Sequence, residues 1–578
     1  MKISLLRRRL EARCPEFSDL FAPARWQTPG AASGGEPDGD GGDPDIRELQ
    51  YRSERVRPGD AFIAVPGFSV DGRRFIGDAV QRGAALIIAE PDQTDQTDRP
   101  DSGNTAVSLP PVWRLPDTRR AMGWIAAALH DFPADDVHII AVTGTNGKTS
   151  VSLLLESILH KAGYHPGVMG TIDIHFADRT LPAPVTTPEA PDLQRIMAEM
   201  RDAGVTHLVM EASSQALDLY RLNGCAVDTA VFTNLSRDHL DWHQTMDRYW
   251  ASKKRLFTEY LRSGTGAGTP PSPGLIPGVV VNADSPYGRE LAALFPGNCV
   301  TTGQSGEYLV YSKTSEFRAA GIHGCLATPS GPVRVDSPLI GRHNLENIRL
   351  AAGAAVRLGL PVSAMEAGIR ACPPARGRME RAVPVTGDRT AFSRNSPAGP
   401  HVFVDYSHTP DALVHALATL RDLLDQEEKS AVIPPGRLIC VFGCGGDRDP
   451  GKRPEMGRAA GEGADIVIVT SDNPRSEDPS RIIGEILPGI LEAGLSESSG
   501  PLRNEDGRPA ARGFRVIADR REAIRAAVLG AGPADMVLIA GKGHETCQII
   551  GGRILDFDDL AEAGRALALR MKGEETLP

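Results

Sequence analysis

Short apolar runs alternate along this chain with longer segments in which apolar positions recur every three or four residues. The short runs are rich in Val, Ile and Ala, which is typical of buried parallel strands, and the longer segments have the period of amphipathic helices. Such alternation predicts α/β domains built on parallel sheets. Strands are expected in DAFIAVPG, GAALIIAE, HLVMEASS, VDTAVFTN, GVVVNAD, VFVDYSH, RLICVFGCGGDRD, DIVIVTSDNPR and DMVLIAGKGHE.

Five stretches rich in Gly, Pro, Ser and charge interrupt this pattern, near residues 30, 95, 265, 390 and 500. They hold too little apolar surface to order themselves, so we expect loops or insertions there. A chain of 578 residues is too long for one core. We expect an α/β protein of three domains, over residues 1–112, 113–375 and 376–578. The central domain would hold a P-loop mononucleotide-binding parallel sheet, and the C-terminal domain would be Rossmann-like.

Residues 137–150, VHIIAVTGTNGKTS, join a β-branched run to a Gly-containing loop and a helix-like segment. Loop N–H groups and the helix dipole form a site for phosphate, which Lys148 can neutralise, while the Thr149 hydroxyl suits Mg²⁺. Val142 stands where the full G-x-x-x-x-G-K-[ST] pattern has Gly. A βα turn that uses Gly for geometry alone would leave Lys148 and Thr149 unexplained. The predicted nucleotide site consists of Gly144, Thr145, Asn146, Gly147, Lys148, Thr149 and Ser150.

Composition limits the partners. The net charge of −11 argues against a protein that binds nucleic acid by neutralising phosphates. The chain lacks an apolar run long enough to span a bilayer, and its first residues show no apolar region after their charges. We therefore expect neither a signal peptide nor a membrane partner. Its eight Cys are scattered, which is typical of reduced thiols in the cytoplasm. We expect a cytoplasmic monomer that acts on small molecules.

The motifs carry a family resemblance from about Pro58 to Asp556. In order, they are GTNGKTS, TTPE, SSQAL, NLSRDHLDWH, GRHNLEN, GRME, DYSHTPDAL, GCGGDRDPGKRP, SDNPRSEDP and GKGHE. Together they resemble the Mur ligase family, which adds amino acids to the growing peptide of bacterial peptidoglycan. The resemblance implies that ATP phosphorylates the D-Glu carboxylate of UDP-N-acetylmuramoyl-L-alanyl-D-glutamate. The amine of meso-diaminopimelate then attacks the acyl phosphate.

The resemblance also implies a catalytic set of Lys148, Glu211, His239 and Lys253. Thr149, Glu211, His239 and Lys253 would be metal ligands, with Mg²⁺ as the cofactor. In the family, the lysine that aligns with Lys253 is carbamylated and so becomes a metal-binding anion. From the residues alone, Lys253 is a surface lysine, and the adjacent Lys254 leaves the register open.

Substrate contacts are likewise implied by the resemblance. The UDP-sugar dipeptide would contact Ser53, Phe68, Ser69, Val70, Thr186, Thr187, Ser213 and Arg221. The family's Asp-Ser-Arg triplet reads Arg52-Ser53-Glu54 here, Gln215 stands where many relatives have His, and Leu219 where some have Gln. ATP would also contact Asn344, Asn347, Arg378, Asp405 and His408.

Diaminopimelate would contact Arg448, Asp472, Asn473, Pro474, Arg475, Gly541 and Glu545. Arg475 would pair the carboxylate that lysine lacks, and Glu545 would pair the neighbouring ammonium. Because ligand contacts are spread over three predicted domains, we expect the C-terminal domain to close over the central one.

Three other functions fit parts of the sequence. A non-catalytic nucleotide or UDP-sugar regulator would not need Lys148, Glu211 and His239. A P-loop ATPase or kinase would not need the DNPR and GKGHE loops. Folylpolyglutamate synthetase shares the P-loop but leaves the N-terminal block and DNPR unexplained.

Overall fold

A computed structural model describes residues 1–21, 25–27, 43–67, 70–91, 110–262, 278–385, 399–430, 436–498 and 512–572. The five stretches predicted as loops lie almost wholly outside these residues, as do Phe68 and Ser69. The chain forms two compact units. The first unit is Met1–Tyr311, Thr328–Gly331 and Arg349–Gly368, and the second is Ser312–Ala327, Pro332–Ile348 and Ile369–Pro578.

The first unit begins with a small sheet and its helices. Its strands are β1 (Arg25–Gln27), β2 (Leu49–Gln50), β3 (Ala61–Ala64), β4 (Leu86–Ala89) and β5 (Val112–Arg114). Its helices are α1 (Ile3–Arg13), α2 (Phe17–Leu20), α3 (Ile76–Gln81) and α4 (Thr118–Leu129). The strand order is β1-β5-β4-β3-β2, and only the β1–β5 pair is antiparallel. Helix α4 begins where the Asp117 side chain accepts a hydrogen bond from the Arg120 N–H, and its alanine-rich face is buried in this core.

The rest of the first unit is a larger sheet covered by helices. Its strands are β6 (His138–Thr143), β7 (Pro166–Met169), β8 (Asp173–Phe176), β9 (Arg179–Pro182), β10 (His207–Glu211), β11 (Thr229–Phe232), β12 (Gly278–Asn282) and β13 (Cys299–Gly303). Its helices are α5 (Lys148–Lys161), α6 (Ala190–Asp202), α7 (Ser214–Asp218), α8 (Leu240–His243), α9 (Met246–Thr258) and α10 (Pro286–Leu294). The order is β13-β12-β11-β6-β10-β7-β8-β9, parallel except at β7–β8 and β8–β9.

Every residue of β6, β10, β11 and β12 is buried, which explains their continuous apolar sequence. Strand β6 lies between β10 and β11 in the sheet. Ligands in such sheets bind at the carboxyl ends of the strands. The loop after β6 therefore has the ends of β10 and β11 on either side of it.

The chain continues through β14 (Val310–Arg318), β15 (Gly321–Ala327), β16 (Val333–Ser337), α11 (Arg342–Arg357) and α12 (Val362–Ala371). The strands of the second unit's main sheet are β17 (Glu380–Arg381), β18 (His401–Asp405), β19 (Leu438–Phe442), β20 (Ile466–Val469), β21 (Gly513–Val516) and β22 (Met536–Ala540). Its helices are α13 (Pro410–Ser430), α14 (Lys452–Gly463), α15 (Pro479–Glu492), α16 (Arg520–Gly530) and α17 (Asp559–Met571), and a hairpin of β23 (Cys547–Ile550) and β24 (Arg553–Asp556) precedes α17.

The main sheet of the second unit has the order β17-β18-β22-β19-β20-β21 and is parallel except at β17–β18. Each of the nine strands predicted from the apolar runs is present as a strand. The α/β fold class is therefore confirmed. In the part of the chain that the structure describes, none of the helices is both long enough and apolar enough to cross a bilayer.

Candidate active site

The loop after β6 is held by hydrogen bonds to the backbone and side chain of Asn234. At Gly144, φ is 148° and an added Cβ would lie 1.8 Å from Thr233 Oγ1, so only glycine fits. The Thr145 N–H donates to the Asn234 carbonyl at 2.9 Å, and the Asn146 N–H donates to Asn234 Oδ1 at 3.0 Å. Gly147, with φ of 88°, caps α5 in the left-handed conformation. The first N–H groups of a helix have no intrahelical acceptor, so this end of α5 is suited to phosphate.

Lys148 lies over the loop that precedes it. Its Nζ donates to the carbonyls of Gly144 and Thr145, each at 3.0 Å. Thr149 and Ser150 follow in the first turn of α5 and are half-buried. The structure thus places the residues of the predicted nucleotide site in the loop after β6 and the first turn of α5, with the Lys148 ammonium directed at the loop backbone.

Lys253 on α9 is buried against the same loop. Only 1% of this residue is exposed, and its Nζ donates to the Gly144 carbonyl at 2.8 Å. The Nζ also lies 4.5 Å from the centre of the Tyr249 ring. Burial lowers the pKa of Lys253 well below its usual value, and the Lys148 charge acts in the same direction. A deprotonated lysine is the form that reacts with CO₂ to give a carbamate.

The adjacent Lys254 points away from the loop and pairs with Glu290, Nζ to Oε1, at 2.8 Å. The interpretation of Lys253 as a surface lysine, made from the residues alone, is therefore wrong. A surface position fits Lys254 instead. Two lysines that follow each other on a helix lie on different faces, and only the packing of α9 on the sheet decides which is buried.

Glu211, the last residue of β10, is buried beside the loop. Its Oε1 accepts from the Thr171 N–H at 3.0 Å, and its Oε2 accepts from Thr171 Oγ1 at 2.9 Å. Thr171 Oγ1 in turn lies 3.1 Å from Thr186 Oγ1. In the register of β10 and β6, Glu211 lies opposite Val142, two residues before Gly144. The carboxylate is thus held at the same sheet edge as the P-loop.

The residues predicted to contact the dipeptide join this network. Thr187 Oγ1 donates to the Glu211 carbonyl at 2.8 Å and accepts from the Ser213 N–H at 3.1 Å. Ser213 Oγ caps α7 by accepting from the Ala216 N–H. Arg221 donates to the Thr187 carbonyl at 2.8 Å. The structure therefore brings Thr186, Thr187, Ser213 and Arg221 together around Glu211.

His239 is exposed and adopts a left-handed φ of 50° at the start of α8. Its Nε2 lies 3.4 Å from the Asp238 carboxylate. Loss of hydration lowers the pKa of His239, and the charges of Lys148 and Lys253 lower it further, against the effect of Asp238. A neutral imidazole is the form that ligates a metal ion.

The side chains beside the loop fit one kind of metal ion better than others. Within the described ranges, no cluster of three or more His, Cys, Asp or Glu side chains is arranged to hold an ion. Mg²⁺ does not need such a cluster, because it is usually bound by one or two carboxylates together with substrate phosphates and water. The oxygens of Glu211 and Thr149 suit Mg²⁺, whereas an unmodified Lys253 does not.

Two buried rings beside the loop were not assigned from the sequence. The Tyr249 hydroxyl lies 3.1 Å from Thr145 Oγ1, and burial raises the Tyr249 pKa to about 12. His243 stacks on Tyr249 with ring centres 5.0 Å apart, and its Nε2 lies 2.9 Å from Ser214 Oγ. His243 belongs to the motif NLSRDHLDWH, which could have drawn attention to it. Nothing in the sequence singled out Tyr249, because an aromatic residue on an amphipathic helix is usually part of the hydrophobic core.

Of the residues predicted for UDP, Ser53 and Val70 are described. Ser53 is buried in a short 3₁₀ turn, Ser53–Arg55, and its hydrogen bond to Asp78 lowers the pKa of that carboxyl. Val70 is 44% exposed. Phe68 and Ser69 lie outside the described residues, so the predicted UDP contacts stay a prediction.

In the second unit, the predicted nucleotide residues form two groups. Asn347 Nδ2 donates to Asn344 Oδ1 at 3.1 Å on α11. At the end of β18, Asp405 Oδ2 accepts from the Met379 N–H at 2.8 Å. The Arg378 guanidinium lies 5.0 Å from the centre of the Tyr406 ring, and the His408 ring lies 4.5 Å from it. Tyr406, which was not assigned from the sequence, thus joins Arg378 and His408.

The predicted amino-acid residues meet after β20 and β22. Asn473 Nδ2 donates to Glu545 Oε2 at 2.8 Å. Gly541 has a φ of 117°, and an added Cβ would lie 3.0 Å from Asp472 Oδ2. Lys542, which lies in the GKGHE motif but was not assigned, is buried between these groups. We call Asp472, Asn473, Lys542 and Glu545 the carboxylate–lysine cluster.

Arg475 lies beside this cluster in an unusual backbone conformation. It has a φ of 54°, and its backbone N–H donates to the Ile549 carbonyl at 2.9 Å. Its guanidinium is half-buried and donates to the Gly446 carbonyl at 2.7 Å. The exposed Arg448 follows in the same loop as Gly446, and Pro474 is buried. DNPR is therefore not a solvated turn.

The chain is similar to known proteins over most of its length. Family models described as "Mur ligase family, catalytic domain", "Mur ligase middle domain" and "Mur ligase, glutamate ligase domain" match residues 45–130, 142–355 and 388–543. The UDP-N-acetylmuramoyl-L-alanyl-D-glutamate–2,6-diaminopimelate ligase of Geobacter metallireducens is 42% identical over 533 residues. The protein of that name from Geobacillus kaustophilus is 39% identical over 530 residues. Both alignments cover 92% of this chain and 96% of the relative.

Solved structures of Mur ligases are also similar to this chain. A structure of a UDP-N-acetylmuramoyl-L-alanyl-D-glutamate–2,6-diaminopimelate ligase is 32% identical, has a TM-score of 0.62, and is matched over 93% of this chain and 97% of its own. The MurF ligase of Thermotoga maritima in complex with ADP has a TM-score of 0.55 at 17% identity, over 91% of this chain and 99% of its own. The second likeness shows the fold alone.

Proposed function

The chain belongs to the Mur ligase family, and we propose that it is an ATP-dependent ligase that adds meso-diaminopimelate to UDP-N-acetylmuramoyl-L-alanyl-D-glutamate in peptidoglycan synthesis. Relatives that bear the name of this activity align with nearly the whole chain. The observation that carries the proposal is the arrangement after β20 and β22. There, Arg475 and the carboxylates of Asp472 and Glu545 lie at one sheet edge.

The nucleotide half of the proposal rests on the loop after β6. Its N–H groups and the start of α5 suit the phosphates of ATP, and the Lys148 ammonium lies where it can neutralise them. We assign Gly144 to Ser150 to this role. Asn344, Asn347, Arg378, Asp405 and His408 are proposed nucleotide contacts of the second unit.

The metal part of the proposal concerns Mg²⁺. Thr149 and Glu211 would hold the ion, His239 would add a nitrogen ligand, and Lys253 would contribute as a carbamate. When bound, the ion would neutralise developing charge on the phosphates. The depressed pKa of Lys253 supports the carbamate, since a deprotonated amine is required.

The chemistry follows from the residues around Glu211. A carboxylate and an amine do not condense in water, so the D-Glu carboxylate must first gain a phosphate leaving group. Thr186, Thr187, Ser213 and Arg221 are proposed to hold the dipeptide beside the P-loop, so that its carboxylate receives the terminal phosphoryl group. The amine then attacks the acyl phosphate, and a tetrahedral intermediate releases phosphate.

Selection of the third amino acid is assigned to the second unit. A guanidinium can grip a carboxylate through parallel hydrogen bonds, and Gly446 occupies only part of the donor capacity of Arg475. Glu545 is proposed to pair the neighbouring ammonium. Arg448, Asp472, Asn473, Pro474 and Gly541 complete the proposed contacts.

We also propose the domain boundaries, the cellular location and the oligomeric state. The proposed domain boundary at residue 375 lies in the gap between the second and third family matches, whereas the proposed boundary at residue 112 lies inside the match to residues 45–130. None of the eight cysteines, which all lie in the described ranges, forms a disulfide, which fits a cytoplasmic protein. We propose a monomer, which light scattering across a range of protein concentrations would test.

A ligation assay tests the proposal directly. The purified protein is incubated with ATP, Mg²⁺, the UDP-dipeptide and one amino acid from a panel. We expect UDP-tripeptide, ADP and phosphate with meso-diaminopimelate, and little product with L-lysine, L-ornithine or L-alanine. Nucleotide hydrolysis without the dipeptide would favour an ATPase, and release of AMP and pyrophosphate would reject the acyl-phosphate route.

A further inference from the structure

We propose that Lys542 makes the amino-acid site select diaminopimelate over lysine by balancing the charge of the carboxylate–lysine cluster. This inference rests on the proposed function and goes beyond it. Arg475 accounts for the attraction of a second carboxylate. Lys542 accounts for the rejection of an amino acid whose far end carries only an ammonium.

The position of Lys542 is central to the cluster. Its side chain is fully buried, at 0% exposure. The Nζ donates to Asn473 Oδ1 at 3.0 Å and to Glu545 Oε2 at 3.2 Å, and it lies 3.5 Å from Asp472 Oδ1. One ammonium is thus shared by two carboxylates and an amide that follow two different strands.

An unsatisfied acceptor marks where a ligand would be held. Asp472 Oδ1 is buried and, among the described residues, receives no hydrogen bond. The contact with Lys542 is a charge contact at 3.5 Å. A buried acceptor without a donor is costly, so Asp472 is suited to an N–H group brought by a ligand. An ammonium of the amino acid supplies that group.

The charge of the ligand then decides selectivity. The far end of diaminopimelate carries an ammonium and a carboxylate and has no net charge, whereas the far end of lysine carries a net positive charge. Without Lys542, Asp472 and Glu545 would present two negative charges, of which the Arg475 guanidinium offsets only one, and the remaining negative charge would favour the cation. With Lys542 in place, the cluster carries one net negative charge, and the Arg475 guanidinium offsets it. Net charge at a buried site discriminates strongly, because screening there is weak.

Lys542 could instead have a purely structural role, in which its hydrogen bonds hold the loop after β22 against the loop after β20. In that case, loss of the lysine would weaken the fold and slow the reaction with both amino acids by the same factor. The ratio of the two kcat/KM values separates these roles, since a fastening role leaves it unchanged.

The experiment compares kcat/KM for meso-diaminopimelate and L-lysine in the full-length wild type and in Lys542→Met and Lys542→Arg variants. We expect Lys542→Met to lower the preference for diaminopimelate by about 10- to 100-fold, the scale of one unit charge acting over several ångströms in a protein site. Part of this change should be a gain in absolute kcat/KM for lysine. Lys542→Arg, which keeps the charge, should retain most of the preference.

A matched control removes another buried cation of the same unit. Arg437 pairs with Asp535 at 2.7 Å before β19, at the end of the sheet opposite the cluster. Arg437→Met should lower the melting temperature and leave the amino-acid preference unchanged. If Lys542→Met does not yield folded protein, Lys542→Gln takes its place.

An unchanged preference in the neutral Lys542 variants, with a wild type that prefers diaminopimelate, would overturn the role of Lys542 and leave the proposed function standing. A wild type that prefers lysine, or that uses neither amino acid, would overturn both.

Discussion

Replacement of Lys253 by Met should lower activity and raise stability at the same time, whereas replacement of Lys254 by Met should leave activity unchanged and should not raise stability. Met keeps the length of the side chain and removes the amine. Lys253 is buried against Gly144, while Lys254 lies on the surface with Glu290. The two adjacent lysines therefore form a matched pair for one experiment.

The expected gain in stability follows from the buried amine. The folded-state pKa of Lys253 is lowered, chiefly by burial, so the unfolded chain binds more protons in the window between the folded and unfolded pKa values. At pH values below that window, each pKa unit by which folding lowers the Lys253 pKa reduces the free energy of unfolding by about 1.4 kcal/mol. The variant loses one hydrogen bond, worth about 1 kcal/mol. The Gly144 carbonyl keeps its bond from Lys148 at 3.0 Å and is not orphaned.

The balance predicts that Lys253→Met is more stable than wild type at neutral pH, because burial of the amine lowers the Lys253 pKa well below its usual value. Because stability of the wild type rises with pH across the window, the gain should shrink toward the unfolded lysine pKa of about 10.4. Activity should fall by roughly 10²–10³, the scale for loss of one preorganised charged group. For Lys254→Met, loss of an exposed ion pair should cost at most about 1 kcal/mol.

Urea unfolding at several pH values in bicarbonate-free buffer, where Lys253 is a free amine, measures the stability, and tripeptide formation with bicarbonate present measures the activity. Labelled bicarbonate followed by NMR reports the carbamate in wild type and its absence in the variant. A Lys253→Met enzyme with wild-type turnover would refute the catalytic assignment. A variant less stable than wild type by more than about 1 kcal/mol at neutral pH would refute the account of the buried amine.

Lys148→Ala should lower kcat by roughly 10²–10³ with little change in the KM for diaminopimelate, because it removes a charge at the phosphates and none at the amino-acid cluster; steady-state kinetics with each substrate varied in turn would check this. A site built for a charged partner can prefer that partner by up to ~10⁴–10⁵. Arg475→Ala should therefore erase most of the preference for diaminopimelate over lysine, measured as the ratio of the two kcat/KM values. Comparable use of lysine by the wild type would contradict the role of Arg475. Contacts with Glu156 and then Asp173 raise the pKa of His175 to about 9. The stability that His175 contributes is therefore complete below the unfolded histidine pKa of about 6.5 and is lost as the pH rises toward about 9, roughly 1–3 kcal/mol in total; His175→Gln should flatten the pH dependence of urea unfolding in that range.

At the strand ends of the second unit, some of the site residues could be predicted from the sequence and one could not. The family resemblance implied that Asp472, Asn473 and Glu545 contact one ligand, and these side chains do meet after β20 and β22. Lys542 was passed over although it lies in a quoted motif, since no pattern distinguishes a buried lysine from a solvated one. Its partner Asn473 lies 69 residues away in the chain.

The sequence by itself determined the α/β class, the strands with continuous apolar sequence and the Gly-containing loop after β6. These follow from local rules, namely the period of apolar positions and the geometry that Gly144 and Gly147 permit. Only the tertiary structure decided that Lys253 and not Lys254 is buried, and that Lys542 lies between Asp472 and Glu545. Burial and pairing depend on how a helix or loop packs against strands remote in sequence, as for Lys253 and Gly144, which are separated by 109 residues. The charge state of a lysine is set by that packing, because loss of water and nearby charges fix the cost of its proton.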